Sequence, residues 1–348
     1  MTHGVRWCES AVCSGWNLCT WFTENFQSMK SSHASEELRI AVVGAGALGG
    51  YYGARLAQGG RDVHFLMRSD FDHVHRKGLK IKSAEGDVHL QELQCYQNPA
   101  AIGPVDLVII AVKTTANEAL LELLPPLLHE KTHLLTLQNG LGNEEFLAAN
   151  FGGSRVLGGL CYVCLNRTAP GEILHLGKGR MHIGEFDCGD GGCPEERTHR
   201  VVREFKACGV TSAAVDNLAT ERWKKLVWNV PFNGLSIVAG GVSTSRLLED
   251  EGLMILIREL MEEVIAAAGA LGHQIPNAFI ETMIEVTHAM GDYRPSSMID
   301  FLEGREVEVE SIWGEPFRLG HQAGVELGRL GFLYRLIRHL VASRGATS

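Results

Sequence analysis

A single turn constrains this chain more than any other feature. An apolar, β-branched run at 38–43 leads straight into Gly44-x-Gly46-x-x-Gly49 and then a helix-compatible stretch through Ala57. Such a run is the signature of a buried parallel strand. The first glycine permits the tight turn, the second lets backbone approach a pyrophosphate, and the third lets the helix pack closely on the strand. The free N–H groups at the helix start attract phosphate. Gly59-Gly60 closes the helix and a second strand is expected at 62–67. Gly44, Ala45, Gly46, Ala47, Leu48 and Gly49 are therefore read as the dinucleotide-binding turn.

Further strands are expected at 106–112 and 133–137, with a helix-compatible stretch at 117–128 that Pro125-Pro126 interrupts. Alternating strands and helices predict an α/β fold, a Rossmann-type doubly wound parallel sheet. Segments 156–166 and 172–185 read as extended strands that close or extend that sheet, and 188–194 as a glycine-rich surface loop. Helical patterns at 220–229, 249–270, 277–290, 313–324 and from 330 onward predict an all-helical C-terminal domain. The expected organisation is an N-terminal extension over 1–37, without defined structure, a cofactor domain over 38–214 and a helical domain over 215–348. The 348 residues suit about two domains at roughly 100–200 residues each.

The formal net charge of -9 argues against a protein that coats nucleic acid or anionic membrane. No apolar run approaches the roughly 18 residues a membrane span needs. Nine cysteines without regular spacing predict reduced thiols and a cytoplasmic setting. Cys161 and Cys164, three apart in an extended segment, point to opposite faces, so no metal site is expected.

The end of the second strand selects the cofactor. An NAD enzyme usually carries an acidic residue there, about 20 residues after the glycines. Met67-Arg68-Ser69 stands in its place, and Arg68 can pair with a 2′-phosphate, which favours NADPH. Asp70 lies close by as the competing acidic group. Lys113 and Gln138-Asn139-Gly140 follow the third and fourth strands, where ligands of open sheets bind. Lys225, Asn229 and Asn233 recur every fourth residue and so line one face of a helix whose other faces are apolar. Pro231 is expected to kink that helix. The acidic stretch 300–310 follows Pro295 and connects two helices, a position from which it can fold over a site.

Together these residues resemble the ketopantoate reductase family. The resemblance rests on Gly44-Ala-Gly-Ala-Leu-Gly49, Val112-Lys113, Gln138-Asn139-Gly140 and Gly171-Glu-Ile-Leu-His175-x-Gly177-x-Gly179 with Ile183-Gly184-Glu185. It continues through Trp223-Lys-Lys225-Leu, Asn229, Asn233, Ser296-Ser297-Met298 and Gly304-Arg305-x-x-Glu308. It implies a helical domain of the 6-phosphogluconate dehydrogenase C-terminal-like type. The implied reaction is NADPH-dependent reduction of a small-molecule 2-oxo acid, with ketopantoate leading and cofactor NADPH/NADP. Lys225 would be the general acid and Glu308 would bind the substrate hydroxyl. Ser297 and Asn233 would hold the substrate carboxylate or its neighbours. Asn139 and Asn229 would position nicotinamide and substrate, with Lys113 nearby. Spacing after Met298 leaves Glu306 and Glu310 as alternatives to Glu308, and Trp313 replaces a small polar residue near the expected pocket. Two other readings use the same scaffold: a dehydrogenase or reductase of a different acid, and a non-catalytic NADPH sensor. Helical surfaces suit either a monomer or a homodimer.

Overall fold

The computed structural model describes residues 38–344 apart from 178 and 189–192, so the expectation for 1–37 lies outside the described residues. The central sheet has eight strands. In chain order they are β1 (Arg39–Val43), β2 (Asp62–Leu66), β5 (Gln94–Tyr96), β6 (Leu107–Ile110), β7 (His133–Thr136), β8 (Val156–Tyr162), β11 (Arg180–Glu185) and β12 (Ser212–Ala214). Their spatial order is β12-β11-β8-β7-β6-β1-β2-β5. All pairs are parallel except β8 with β11, where Cys161 faces Met181. Ile40 pairs with Val63 on one side and Leu107 on the other, so the chain leaves β1 in both directions. The carboxyl ends of β1 and β6 therefore form the switch point at which such sheets bind ligands.

The sequence reading of one sheet needs correction. A second, four-stranded sheet has the order β4-β3-β10-β9, built from β3 (Leu79–Ser83), β4 (Val88–Leu90), β9 (Leu165–Ala169) and β10 (Glu172–His175). Of the strands expected at 156–185, β8 and β11 extend the main sheet while β9 and β10 join this small one. The physical reason is the pairing of Lys80 with Glu172, a contact between distant segments that local pattern does not carry.

Helices α1 (Ala47–Gln58), α2 (Phe71–Lys77), α3 (Leu120–Leu123), α4 (Asn143–Phe151) and α5 (Glu196–Ala207) belong to the strand-bearing part. Beyond β12 the described elements are helical. They are α6 (Leu218–Val238), α7 (Thr244–Glu249), α8 (Glu251–Ala270), α9 (Ala278–Met290), α10 (Ser296–Leu302), a π turn (Glu310–Gly314), α11 (Glu315–Gln322) and α12 (Gly328–Arg344). None of the described helices is long and apolar enough to cross a membrane.

Helix α6 runs well past the expected 220–229 and contains Pro231 in its interior. Tertiary packing overrides the proline: Val230 and Phe232 are fully buried, and the Trp313 indole donates to the Val230 carbonyl at 3.0 Å. Trp313 is thus a core residue of the helical cluster. The acidic connection expected near 300 begins with helix α10, introduced by Pro295. Cys188 and Cys193 form a disulfide, with Cα atoms 5.4 Å apart, against the expectation of reduced thiols throughout. Cys95, Cys161, Cys164 and Cys208 are free.

Candidate active site

The glycine turn divides its work between three positions. Gly44 has φ +93°, and a Cβ there would lie 2.7 Å from Val112 Cγ1 and the Val112 amide nitrogen. A Cβ on Gly49 would collide with the Gly44 carbonyl and lie 2.9 Å from Ala111 Cβ. Both glycines therefore serve the packing of turn, helix and β6 end. Gly46 is different: a Cβ there meets nothing within 4 Å. It precedes Ala47, the first residue of α1, and no side chain caps that helix. Ala45, Ala47 and Leu48 are half-buried around it. Uncapped amides facing open space form the cradle that a pyrophosphate fits.

Arg68, just beyond β2, is exposed, and no hydrogen bond or ion pair engages it among the described residues. Asp70 is buried and occupied. Arg167 Nη1 donates to it at 2.7 Å, Ser69 Oγ at 3.0 Å and the Gly171 amide at 3.2 Å. The acidic group that competed with Arg68 in the sequence is thus turned inward, as a tie to the second sheet.

Lys225 extends from α6 to the carboxyl end of β7. Its Nζ donates to Asn139 Oδ1 at 2.9 Å and lies 5.6 Å from the centre of the Tyr162 ring, at the end of β8. Burial lowers its pKa from 10.5 to about 8; Cys161 and Glu308 push it upward, whereas Arg222 pushes it down. Asn139 is itself held by the Asn143 side chain, which donates to its carbonyl at 3.0 Å. Gly140 then comes so close to the π turn that a Cβ would collide with the Ser311 carbonyl. Leu141 donates to that same carbonyl at 2.9 Å.

The three candidate glutamates point in three directions. Glu306 accepts from Thr115 Oγ1, and Glu310 accepts from Tyr334 at 2.9 Å and Arg318 at 2.7 Å. Glu308 is buried, accepts from the Thr114 amide at 3.2 Å and lies 3.6 Å from Lys113 Nζ. Its charge favours the Lys225 ammonium. Lys113 also bonds Asp300, which bonds Arg305 in turn. Burial draws the Lys113 ammonium down, but Glu308 and Asp300 outweigh burial and hold its pKa above the ordinary lysine value. The structure thus places Lys113 between the carboxylates of Asp300 and Glu308, just past the end of β6.

Asn229 and Asn233 follow Lys225 along α6, 8 % and 3 % exposed. The Asn233 amide bridges two backbones: its Nδ2 donates to the Asn229 carbonyl at 3.1 Å, and its Oδ1 accepts from the buried Ser297 amide at 3.2 Å. Asn229 has no side-chain hydrogen bond among the described residues.

Sequence reading missed Asp300, Tyr162 and a buried ion pair between Arg222 and Glu144. Arg222 had a signal: it stands three residues before Lys225, on the stripe that continues through Asn229. Glu144, distant in sequence, had none. Gln138 proves to be a brace, donating to the Val112 carbonyl at 3.1 Å and to Asn117 Oδ1 at 2.8 Å.

Known proteins share this architecture. The family model described as Ketopantoate reductase PanE/ApbA matches residues 40–188, and its C-terminal counterpart matches 217–341. A 2-dehydropantoate 2-reductase from Nostoc sp. is 40% identical over 305 residues, covering 87% of this chain and 95% of its own. The crystal structure of 2-dehydropantoate 2-reductase from Geobacter metallireducens superposes with a TM-score of 0.83 at 43% identity, covering 88% of this chain and 99% of that one. A D-mandelate dehydrogenase solved with NADH and anilino(oxo)acetate shares the fold, with a TM-score of 0.81 at 21% identity over 88% of this chain and 100% of that one. With both halves matched in order and relatives aligned almost end to end, the chain is an oxidoreductase belonging to the ketopantoate reductase family.

Proposed function

We propose that this enzyme reduces a 2-oxo acid with NADPH, ketopantoate being the leading substrate, and that Lys225 is its general acid. One observation carries the reading. A half-buried ammonium with a pKa near 8 is fixed to Asn139 at the carboxyl edge of the sheet whose glycine turn is open at Gly46. The cofactor, when bound, supplies the hydride. As negative charge grows on the substrate's carbonyl oxygen, the Lys225 ammonium stabilises it and then donates its proton. A pKa near 8 makes Lys225 a better proton donor than an ordinary lysine, yet leaves it charged at neutral pH.

Glu308 is assigned to the substrate hydroxyl, and Asn139 and Asn229 to the placement of nicotinamide and substrate. Ser297 holds the carboxylate, with Asn233 acting through the Ser297 backbone that it fixes. Lys113 ties Glu308 and Asp300 together. Arg68, exposed while Asp70 is occupied, supports NADPH over NADH through a 2′-phosphate contact. The test follows NADPH oxidation by its near-ultraviolet absorbance across a panel of 2-oxo acids, with NADH in parallel. Turnover of ketopantoate above the other acids supports the assignment. Turnover of a different acid keeps the mechanism and replaces the substrate. NADPH binding without any turnover overturns both and favours the sensor reading.

A further inference from the structure

Beside Lys225 lies a feature that proton donation alone does not require. Arg222 and Glu144 are 3 % and 4 % exposed, one on α6 and the other in the first turn of α4. Arg222 Nε donates to Glu144 Oε1 at 2.9 Å, and Nη2 bonds the same oxygen. The remaining arm, Nη1, donates to the Gln138 carbonyl at 2.8 Å. That carbonyl immediately precedes Asn139, the partner of Lys225. Space for the pair is provided by Gly158 of β8, where a Cβ would collide with Glu144 and lie 2.6 Å from Leu218 Cδ2.

We propose that the Arg222–Glu144 pair is the positioning element of Lys225: it clamps the Gln138–Asn139 backbone to α6 and sets a fixed positive charge one turn before the ammonium. The proposal rests on the reading of Lys225 as proton donor. Stability alone is a weak reason for such a pair, because buried ion pairs can often be replaced by apolar residues at little or no loss. Position supplies the stronger reason. One guanidinium holds α4, the end of β7 and the helix of Lys225 together, so the distance from Nζ to Asn139 cannot drift independently of it.

The charge argument is consistent with this geometry. The groups that face Lys225 are Cys161 and Tyr162 from β8, Glu308 from the segment before the π turn, neutral Asn139, and Arg222 on its own helix. Burial has the largest effect on Lys225 and lowers its pKa. Arg222 lowers it further, while Cys161 and Glu308 raise it.

The test compares wild type with the double variant Arg222→Leu/Glu144→Leu, which leaves no buried charge unpaired. Competitive acetylation of Lys225 across pH, read by peptide mass spectrometry, gives its titration midpoint without any turnover. The expected midpoint rises by about half a unit or more. In parallel kcat falls roughly tenfold or more, with KM for NADPH unchanged. The variant Arg222→Lys keeps the charge and loses the fork, so it should hold the wild-type midpoint while kcat remains low. A folded double variant with wild-type midpoint and kcat overturns the proposal. Should that variant fail to fold, wild-type kcat in Arg222→Lys overturns the clamp. Failure of the functional reading shows separately, as wild-type enzyme that reduces no 2-oxo acid while the labelling still reports on Lys225.

Discussion

At the glycine turn the chain offers a ligand bare backbone; at Lys225 it offers side chains held by other side chains. Around Gly46 the chain supplies room and uncapped amides, with no ionisable group inside the turn. Around Lys225 polar groups are placed by neighbours: Asn139 by Asn143, the Gln138 carbonyl by Arg222, the Ser297 amide by Asn233, Glu308 by Thr114 and Lys113. Backbone sites depend on shape and barely on pH. Side-chain sites depend on burial and on their neighbours' charges, and so carry the titration of the whole enzyme.

The largest expected effect lies at the side-chain end. Lys225→Ala should lower kcat by roughly a hundredfold to ten-thousandfold while leaving the dissociation constant for NADPH unchanged. Equal losses in both would erase the distinction between the two ends. At the backbone end, Gly46→Val should weaken NADPH binding on the order of a hundredfold without lowering the thermal midpoint of the free protein. Gly49→Ala, which collides with the Gly44 carbonyl, should lower that midpoint directly. If both variants melt together, Gly46 is serving the fold and not a ligand. Arg68→Ala should reduce the preference for NADPH over NADH by about tenfold, measured as the ratio of kcat/KM values. The smallest effect is titration. With Lys225 as the proposed proton donor, kcat/KM should hold below pH about 8 and fall above it. The expected decline approaches roughly tenfold per further unit. A profile flat through pH 8 would remove the general-acid role.

The backbone end was the more legible of the two in the sequence. A strand, three glycines and a helix lie within one short stretch, and each glycine's task follows from local geometry. Lys225, Asn229 and Asn233 were legible for the same reason, since helical periodicity is local. What brings them to Asn139 is not local, and neither is the pairing of Lys80 with Glu172 that builds the second sheet. Asp70 shows the limit clearly. Its position after β2 suggested a ribose ligand, yet Arg167 and Gly171, far along the chain, turn it into a structural tie. Glu308 could be separated from Glu306 and Glu310 only once Tyr334, Thr115 and Lys113 had taken their places.

The hydrogen bond from Leu141 to the Ser311 carbonyl bears on the order in which the enzyme comes into being. Synthesis proceeds from the N-terminus, and early segments can begin to fold while later ones are still being made. By Ala214 the ribosome has delivered every strand of both sheets together with the glycine turn. The lysine follows at 225, but Glu308 comes just before the π turn and the Ser311 carbonyl that seats Leu141 comes within it. A nascent chain released early would therefore carry the glycine turn and lack Glu308 and the Ser311 carbonyl.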